Sequence, residues 1–202
     1  MSDLHPRDFW AGQFGNEYID RNVSDQLFAS NLHFFSNILE SCEDISSIME
    51  LGANVGMNIK ALRMLSPDSK LHGVEINRGA FDELSKLDCN AHNSAIEDFS
   101  IDETFDLVFT KGVLIHIAPE NLESVYSKMY KLSKKYILVG EYYNPSPVEL
   151  TYRGNEGKLF KRDFAGDLLD KFSNLKLVDY GFAYKRGPFP QDDITWFLME
   201  KI

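Results

Sequence analysis

Gly52 and Gly56, four apart in the run Glu50-Leu51-Gly52-Ala53-Asn54-Val55-Gly56-Met57-Asn58, can let a backbone turn sharply and a ligand approach it closely. A helix beginning just after them would offer unpaired N–H groups to the same ligand. A dinucleotide pyrophosphate would call for G-x-G-x-x-G. Asn54 stands where the second glycine should be, so the loop suits a ligand without a pyrophosphate. Glu75, in Val74-Glu75-Ile76-Asn77, lies 19 residues after Gly56. An acid there can accept hydrogen bonds from both hydroxyls of a ribose, or be an ordinary surface carboxylate at a strand end. Two further groups could move a proton. Neutral imidazole works near pH 7, which makes His116 a candidate base, although a Leu-Ile-His-Ile setting also suits a packing histidine. Glu141 is the second candidate.

The elements that must hold these residues follow from periodicity. Leu27, Phe28, Leu32, Phe35, Ile38 and Leu39 recur at helical spacing after Ser24, a fitting N-cap. Strands are expected at 45–51, 71–76, 91–96, 105–110, 136–141, 175–184 and 194–201. Helices are expected at 57–65, 80–87, 119–132 and 160–172. Alternating strands and helices imply βαβ units in an α/β, Rossmann-like fold with a mostly parallel sheet of seven strands. The last two strands, joined by a Gly-Pro-rich turn without a helix, make the final one antiparallel. A single domain over 1–202 is expected, with an N-terminal helical segment to residue 44 and an insertion at 142–160.

Composition narrows the class. The chain has 202 residues, 44% hydrophobic and 26% charged, with a formal net charge of −10. That balance speaks against nucleic acid as a partner. No apolar run approaches the roughly 20 residues of a membrane span. The N-terminus lacks a charged-then-apolar signal pattern, so a cytoplasmic protein is expected. Cys42 and Cys89 are solitary and suggest no zinc site, and no acidic triplet for another metal stands out.

The pattern E-x-G-x-x-x-G, in strand–turn–helix context, resembles that of the class I S-adenosylmethionine (SAM) methyltransferases, a likeness running from about residue 45 to the end. It implies SAM as cofactor, held by Glu50, Gly52, Asn54, Gly56, Glu75 and Ile76. Asn93-Ser94-Ala95-Ile96-Glu97-Asp98, with Ala95 and Ile96 foremost, falls where the loop after the third strand would flank an adenine. Phe105–Ile117 resembles the fourth strand and its loop, so Thr110 and Lys111 would pass under the methionine half. Open α/β sheets bind ligands beyond the carboxyl ends of their strands, where these stretches converge.

The methyl acceptor is expected to be small and anionic. The Asn/Asp-Pro-Pro-Tyr turn of adenine and glutamine methylases is absent from Thr110-Lys111-Gly112-Val113. After the fifth strand, Pro145 and Pro147 forbid an immediate helix. The insertion brings Tyr142, Tyr143, Tyr152 and Arg153 toward the ligand end, with Lys158, Lys161 and Arg162 as further cations. Tyrosine and arginine suit a hydroxylated anion, Arg gripping a carboxylate bidentately. The aromatic N-terminal segment, Phe9–Asn22, is expected to fold over the site, with Tyr18 and Arg21 on the cofactor and Asn22 on the acceptor.

Several stretches resemble a narrower family. They are Phe14–Asn22, residues 50–58 and 73–77, Gly112–Pro119, Glu141–Pro145, Tyr152–Gly154, Lys161–Phe164 and Asp192–Leu198. Together they are similar to the pseudaminic acid biosynthesis-associated methylases. The resemblance implies an acceptor of the nonulosonic acid type, its activated form or a precursor in surface glycan synthesis. Two alternatives stay open: an amino acid or other small natural-product acid as acceptor, and a SAM-binding partner without catalysis. Oligomeric state is not legible.

Overall fold

The computed structural model describes residues 5–19 and 24–202, apart from the side chains of Tyr18 and Ile19. Its centre is a seven-stranded sheet of β1 (Ser47–Leu51), β2 (Lys70–Glu75), β3 (Asn90–Asn93), β4 (Phe105–Lys111), β5 (Ser133–Glu141), β8 (Leu175–Ala183) and β9 (Ile194–Lys201). The spatial order is β3-β2-β1-β4-β5-β9-β8. β9 runs antiparallel to both its neighbours, and the other pairs are parallel. The expected count and the reversed final strand both hold, as the α/β expectation required.

Parallel strands covered on both faces read as continuous apolar runs rather than alternations. β1 is buried at all five positions. Adjacent residues still divide between two cores: Ile48, Leu107, Leu138 and Leu198 face one, while Met49, Val108, Ile137 and Met199 face the other. The first core is covered by α3 (Asp25–Leu39), α4 (Met57–Leu65) and α5 (Arg78–Leu84), through Phe35, Ile59 and Leu84 among others. The second is covered by α6 (Leu122–Leu132) and α7 (Phe164–Lys171), through Val125, Met129 and Leu168. Ser24 caps α3 as its type suggested, its Oγ accepting from Leu27 N–H at 3.1 Å.

The chain departs from expectation between β5 and α7. Helix does not begin at 160. Instead β6 (Val148–Tyr152) and β7 (Asn155–Lys161) form an antiparallel hairpin apart from the main sheet. Arg153 and Gly154 form its two-residue turn, with φ of 50° and 82°. Positive φ at both central residues is what matches a turn to the twist of the flanking strands. Helix starts only where Asp163 accepts from Gly166 N–H at 2.7 Å. Likewise Pro119 opens a 3-10 turn, Pro119–Asn121, and α6 follows it.

The N-terminal α1 (Pro6–Ala11) and α2 (Gln13–Ile19) lie against the ligand end of the sheet. Asn77 Nδ2 ties them down, reaching Trp10 O at 3.2 Å and Asn16 Oδ1 at 2.9 Å. Phe14 packs edge-on against Tyr152 of the hairpin, ring centroids 5.9 Å apart. No helix among the described residues is long and apolar enough to cross a membrane.

Candidate active site

The loop from β1 to α4 turns through three left-handed residues, Gly52 (φ 84°), Asn54 (φ 47°) and Gly56 (φ 80°). Asn tolerates this region because its short polar side chain bonds locally, and Asn54 Oδ1 accepts from Val55 N–H at 2.7 Å. Gly52 is required twice over: a Cβ there would stand 2.6 Å from Val113 Cγ2. Gly56 leads into α4 with its α-carbon against Leu84 and Leu87, behind the cavity wall rather than on it.

A cavity of about 240 Å³ opens where this loop meets the carboxyl ends of β2, β3 and β4. Glu75 stands on its wall, 8% exposed. Its Oε2 accepts from Asn54 N–H at 2.8 Å and its Oε1 from Asn77 N–H at 2.7 Å. Burial pushes its carboxyl above the usual carboxylate range, against those N–H donors. An ionised carboxylate has about four acceptor sites, so capacity remains on both oxygens. Ile76, Ala95 and Ile96 form an apolar stretch of wall beyond it.

Glu50 sits one layer deeper. Burial raises its pKa to about 8. Asn58 Nδ2, from the first turn of α4, donates to Glu50 Oε1 at 2.6 Å. Glu50 Oε2 and Asn58 Oδ1 are both buried with no partner among the described residues, and Asn58 lines the cavity. Asn58 Oδ1, together with a Glu50 carboxyl that ionises as a cation arrives, fits a cationic N–H group of a ligand. Asn58 has a legible signal, two residues past Gly56 in the first turn of a helix.

The far wall is the loop after β4. Lys111 lines the cavity, whereas Thr110 is buried within the sheet and does not. Glu141 does not face the cavity either. Its oxygens accept from Val113, Leu114 and Ile115 N–H at 3.0–3.4 Å. It thus caps the 3-10 turn Leu114–His116 as an acid caps a helix N-terminus. Burial lifts its pKa to about 7, opposed by those amides. Glu141, expected as a second candidate base, is thus placed behind the cavity wall with its oxygens on backbone amides.

His116, held by that turn, does line the cavity. Its Nδ1 lies 2.7 Å from Lys158 O of β7. A carbonyl only accepts, so Nδ1 carries the hydrogen and Nε2 presents a lone pair. Trp10 and Tyr152 flank the ring at 4.5 and 4.9 Å between centroids. Burial lowers the His116 pKa to about 4, the bond to Lys158 O opposing it.

Of the other expected acceptor residues, Tyr142 and Tyr152 reach the cavity. Tyr143 does not: it is exposed, with its ring 5.9 Å from Phe197. Arg153 is exposed at the hairpin turn, its guanidinium 5.7 Å over the Tyr152 ring. Its positive φ fits the hairpin turn, and it does not line the cavity. Arg162 pairs with Asp167 at 3.4 Å. Arg21, Asn22 and the Tyr18 side chain lie outside the described residues.

Residues 49–135 match the profile of a methyltransferase domain family. No curated protein matches the chain. Among solved structures, the chain is similar to magnesium protoporphyrin IX methyltransferase (ChlM) from Synechocystis PCC 6803 with bound SAM, at 11% identity and TM-score 0.69, covering 100% of both chains. An S-adenosylmethionine-dependent methyltransferase from Clostridium acetobutylicum ATCC 824 aligns at 12% identity and TM-score 0.66, over 93% of this chain and 97% of the other. DesVI of Streptomyces venezuelae gives the same identity and score over 94% and 97%. At such identities the likeness is one of fold, and the matched segment runs from within β1 to the start of β5, carrying Glu75, Lys111 and His116. Residues 49–135 thus resemble a methyltransferase domain, within a fold shared with these SAM-dependent methyltransferases.

Proposed function

We propose that the protein transfers a methyl group from SAM to an oxygen or nitrogen of a small anionic acceptor, of the nonulosonic acid sugar type or a precursor of it. The observation that carries this reading is Glu75 on the cavity wall with acceptor capacity to spare, beside a left-handed loop that shapes the backbone for close approach. In this reading the Glu75 carboxylate grips the ribose hydroxyls, Ala95 and Ile96 flank the adenine, and Glu50 with Asn58 receives the α-ammonium. The unpartnered Glu50 Oε2 and Asn58 Oδ1 support that last assignment.

SAM supplies an electrophilic methyl carbon on a sulfonium. The chain's own work is alignment, exclusion of water and removal of one proton. An acceptor hydroxyl or amine must lose a proton as its bond to carbon forms, and in this reading His116 Nε2, on the cavity wall, takes it. A pKa near 4 makes His116 too weak to deprotonate a free hydroxyl beforehand. It instead accepts the hydrogen bond and takes the proton as the acceptor atom turns acidic in the transition state. Trp10 and Tyr152 screen the ring from water, and Lys158 O fixes its tautomer.

The nonulosonic acid assignment rests on the motif resemblance and on the tyrosines of the cavity, Tyr142 and Tyr152. Titration calorimetry with SAM and S-adenosylhomocysteine tests the donor: heat of binding is expected, and none with a folded sample overturns the reading. Incubation with labelled SAM and a panel of acidic sugars and amino acids, followed by mass spectrometry, tests the acceptor. A methylated acid sugar is expected; a methylated amino acid would reassign the substrate, and binding without any product would favour a non-catalytic partner.

A further inference from the structure

An anionic acceptor needs a cation, and the cations expected for it are elsewhere. Arg153 is exposed, Arg162 pairs with Asp167, and Lys161 and Lys158 lie over the rings of Tyr142 and Phe9 at 5.1 and 5.8 Å. Among the described residues, histidines aside, the cations on the cavity wall are Arg7 and Lys111. Arg7 is already paired with Asp98. Among the described residues, Lys111 Nζ has no carboxylate oxygen within 4.0 Å; it donates to Asn31 Oδ1 at 3.2 Å. The same Oδ1 accepts from Gln191 Nε2 at 3.0 Å.

Resting on the SAM reading above, we propose that Lys111, Asn31 and Gln191 form the subsite that binds the acceptor's carboxylate. Three elements converge there: the end of β4, the middle of α3 and the turn between β8 and β9. Asn31 and Gln191 are buried, and their amide N–H groups add neutral donors to the ammonium. A half-buried ammonium with no carboxylate in direct contact among the described residues bears a desolvation cost that more distant acids offset only in part, and an entering carboxylate relieves it. Burial lowers the Lys111 pKa to about 8, opposed by Glu50 of β1, Asp192 of the β8–β9 turn and Glu141 of β5. α3 faces it with neutral groups, Asn31 and the Phe34 ring at 5.4 Å. Lys111 therefore keeps its proton at neutral pH, yet is pressed to find an anion.

Position favours the acceptor over the donor as the source of that anion. Glu75 ends β2, two strands from β4 and four from β9. At about 4.8 Å per strand the step to β4 is roughly 10 Å. The donor's arm from ribose to carboxylate is about six bonds, two residues' worth of backbone, or roughly 7 Å extended. Held at its ribose by Glu75, that arm is shorter than the step to β4, and comparison of S-adenosylhomocysteine with methylthioadenosine decides between the two anions.

The test compares wild type with Lys111→Met and Gln191→Leu. Calorimetry with S-adenosylhomocysteine comes first, and its failure in the wild type would strike the SAM reading itself. Ligand-observed NMR with N-acetylneuraminate and its methyl ester, with S-adenosylhomocysteine present, then reads the subsite. The wild type is expected to bind the acid and not the ester. Both variants are expected to weaken acid binding tenfold or more while holding S-adenosylhomocysteine within about twofold of wild type, which also certifies their folding. No binding of the acid by wild type, or equal binding of acid and ester, overturns the proposal. So does tenfold loss of S-adenosylhomocysteine affinity in Lys111→Met with methylthioadenosine affinity unchanged, because the anion would then be the donor's own.

Discussion

Glu75 is oriented by the N–H groups of Asn54 and Asn77, and His116 has its tautomer fixed by Lys158 O, so both roles are testable. Glu75→Gln keeps the shape but removes the charge that would grip two hydroxyls. Charged hydrogen bonds contribute about 1.5–3 kcal/mol, so S-adenosylhomocysteine affinity measured by calorimetry is expected to fall by a corresponding factor. His116→Ala is expected to lower kcat by about 10²-fold or more, the low end of a general base's worth, with donor affinity unchanged. Because burial carries the His116 pKa down to about 4, Nε2 stays unprotonated and competent at every pH above that. The acid limb of the kcat profile is therefore expected to lack a break near 6.5, where an ordinary histidine would titrate; a break there that vanishes in His116→Ala would contradict this environment.

At the scale of elements, the loop after β4 is held from β5. Glu141 collects three amides of the turn that presents His116. Glu141→Gln replaces one acceptor oxygen with a donor facing N–H groups. The expected result is a lower kcat with little change in donor affinity, read by separate kinetic and calorimetric measurements. Gly52→Ala would strain a φ of 84° and press a methyl onto Val113 in the same turn. Gly52 and Glu141 thus reach one turn from two strands. The hairpin β6–β7 plays the same part for the imidazole, since Lys158 supplies the carbonyl that fixes its tautomer.

The whole molecule sets the frame through its sheet, buried on both faces. Phe109 is fully buried between α3 and the strands, and Phe109→Ala is expected to cost about 3–5 kcal/mol in chemical denaturation. Stability should also depend on pH. Glu50 and Glu141 have folded pKa values of about 8 and about 7, raised by burial from 4.5. Between 4.5 and those values the folded chain holds protons that the unfolded chain has released, so stability falls as pH rises. Below about 6.5 the buried His72 and the half-buried His92 and His116, with lowered pKa values, pull the other way. The net decline is therefore expected from about pH 6.5 to 8, seen as a falling Tm, and Glu50→Gln should flatten it.

The α/β alternation, the seven strands with the last reversed, and the Gly52–Gly56 loop followed by Glu75 are all legible in the order of residues alone. Each depends on contacts close along the chain: apolar periodicity, a cap three residues away, a turn that only certain residues can make. Tertiary structure decided which polar groups have free valence. Glu141 looked like a reactive acid until three amides from another strand's loop took its lone pairs. Arg153 looked like an anion reader, but the pairing of Tyr152 with Asn155 makes it a turn residue. Asn31 and Gln191 carried no local signal because they meet across 160 positions of chain. Local sequence specifies backbone conformation, whereas the reactivity of a buried side chain depends on what distant segments leave unpaired around it.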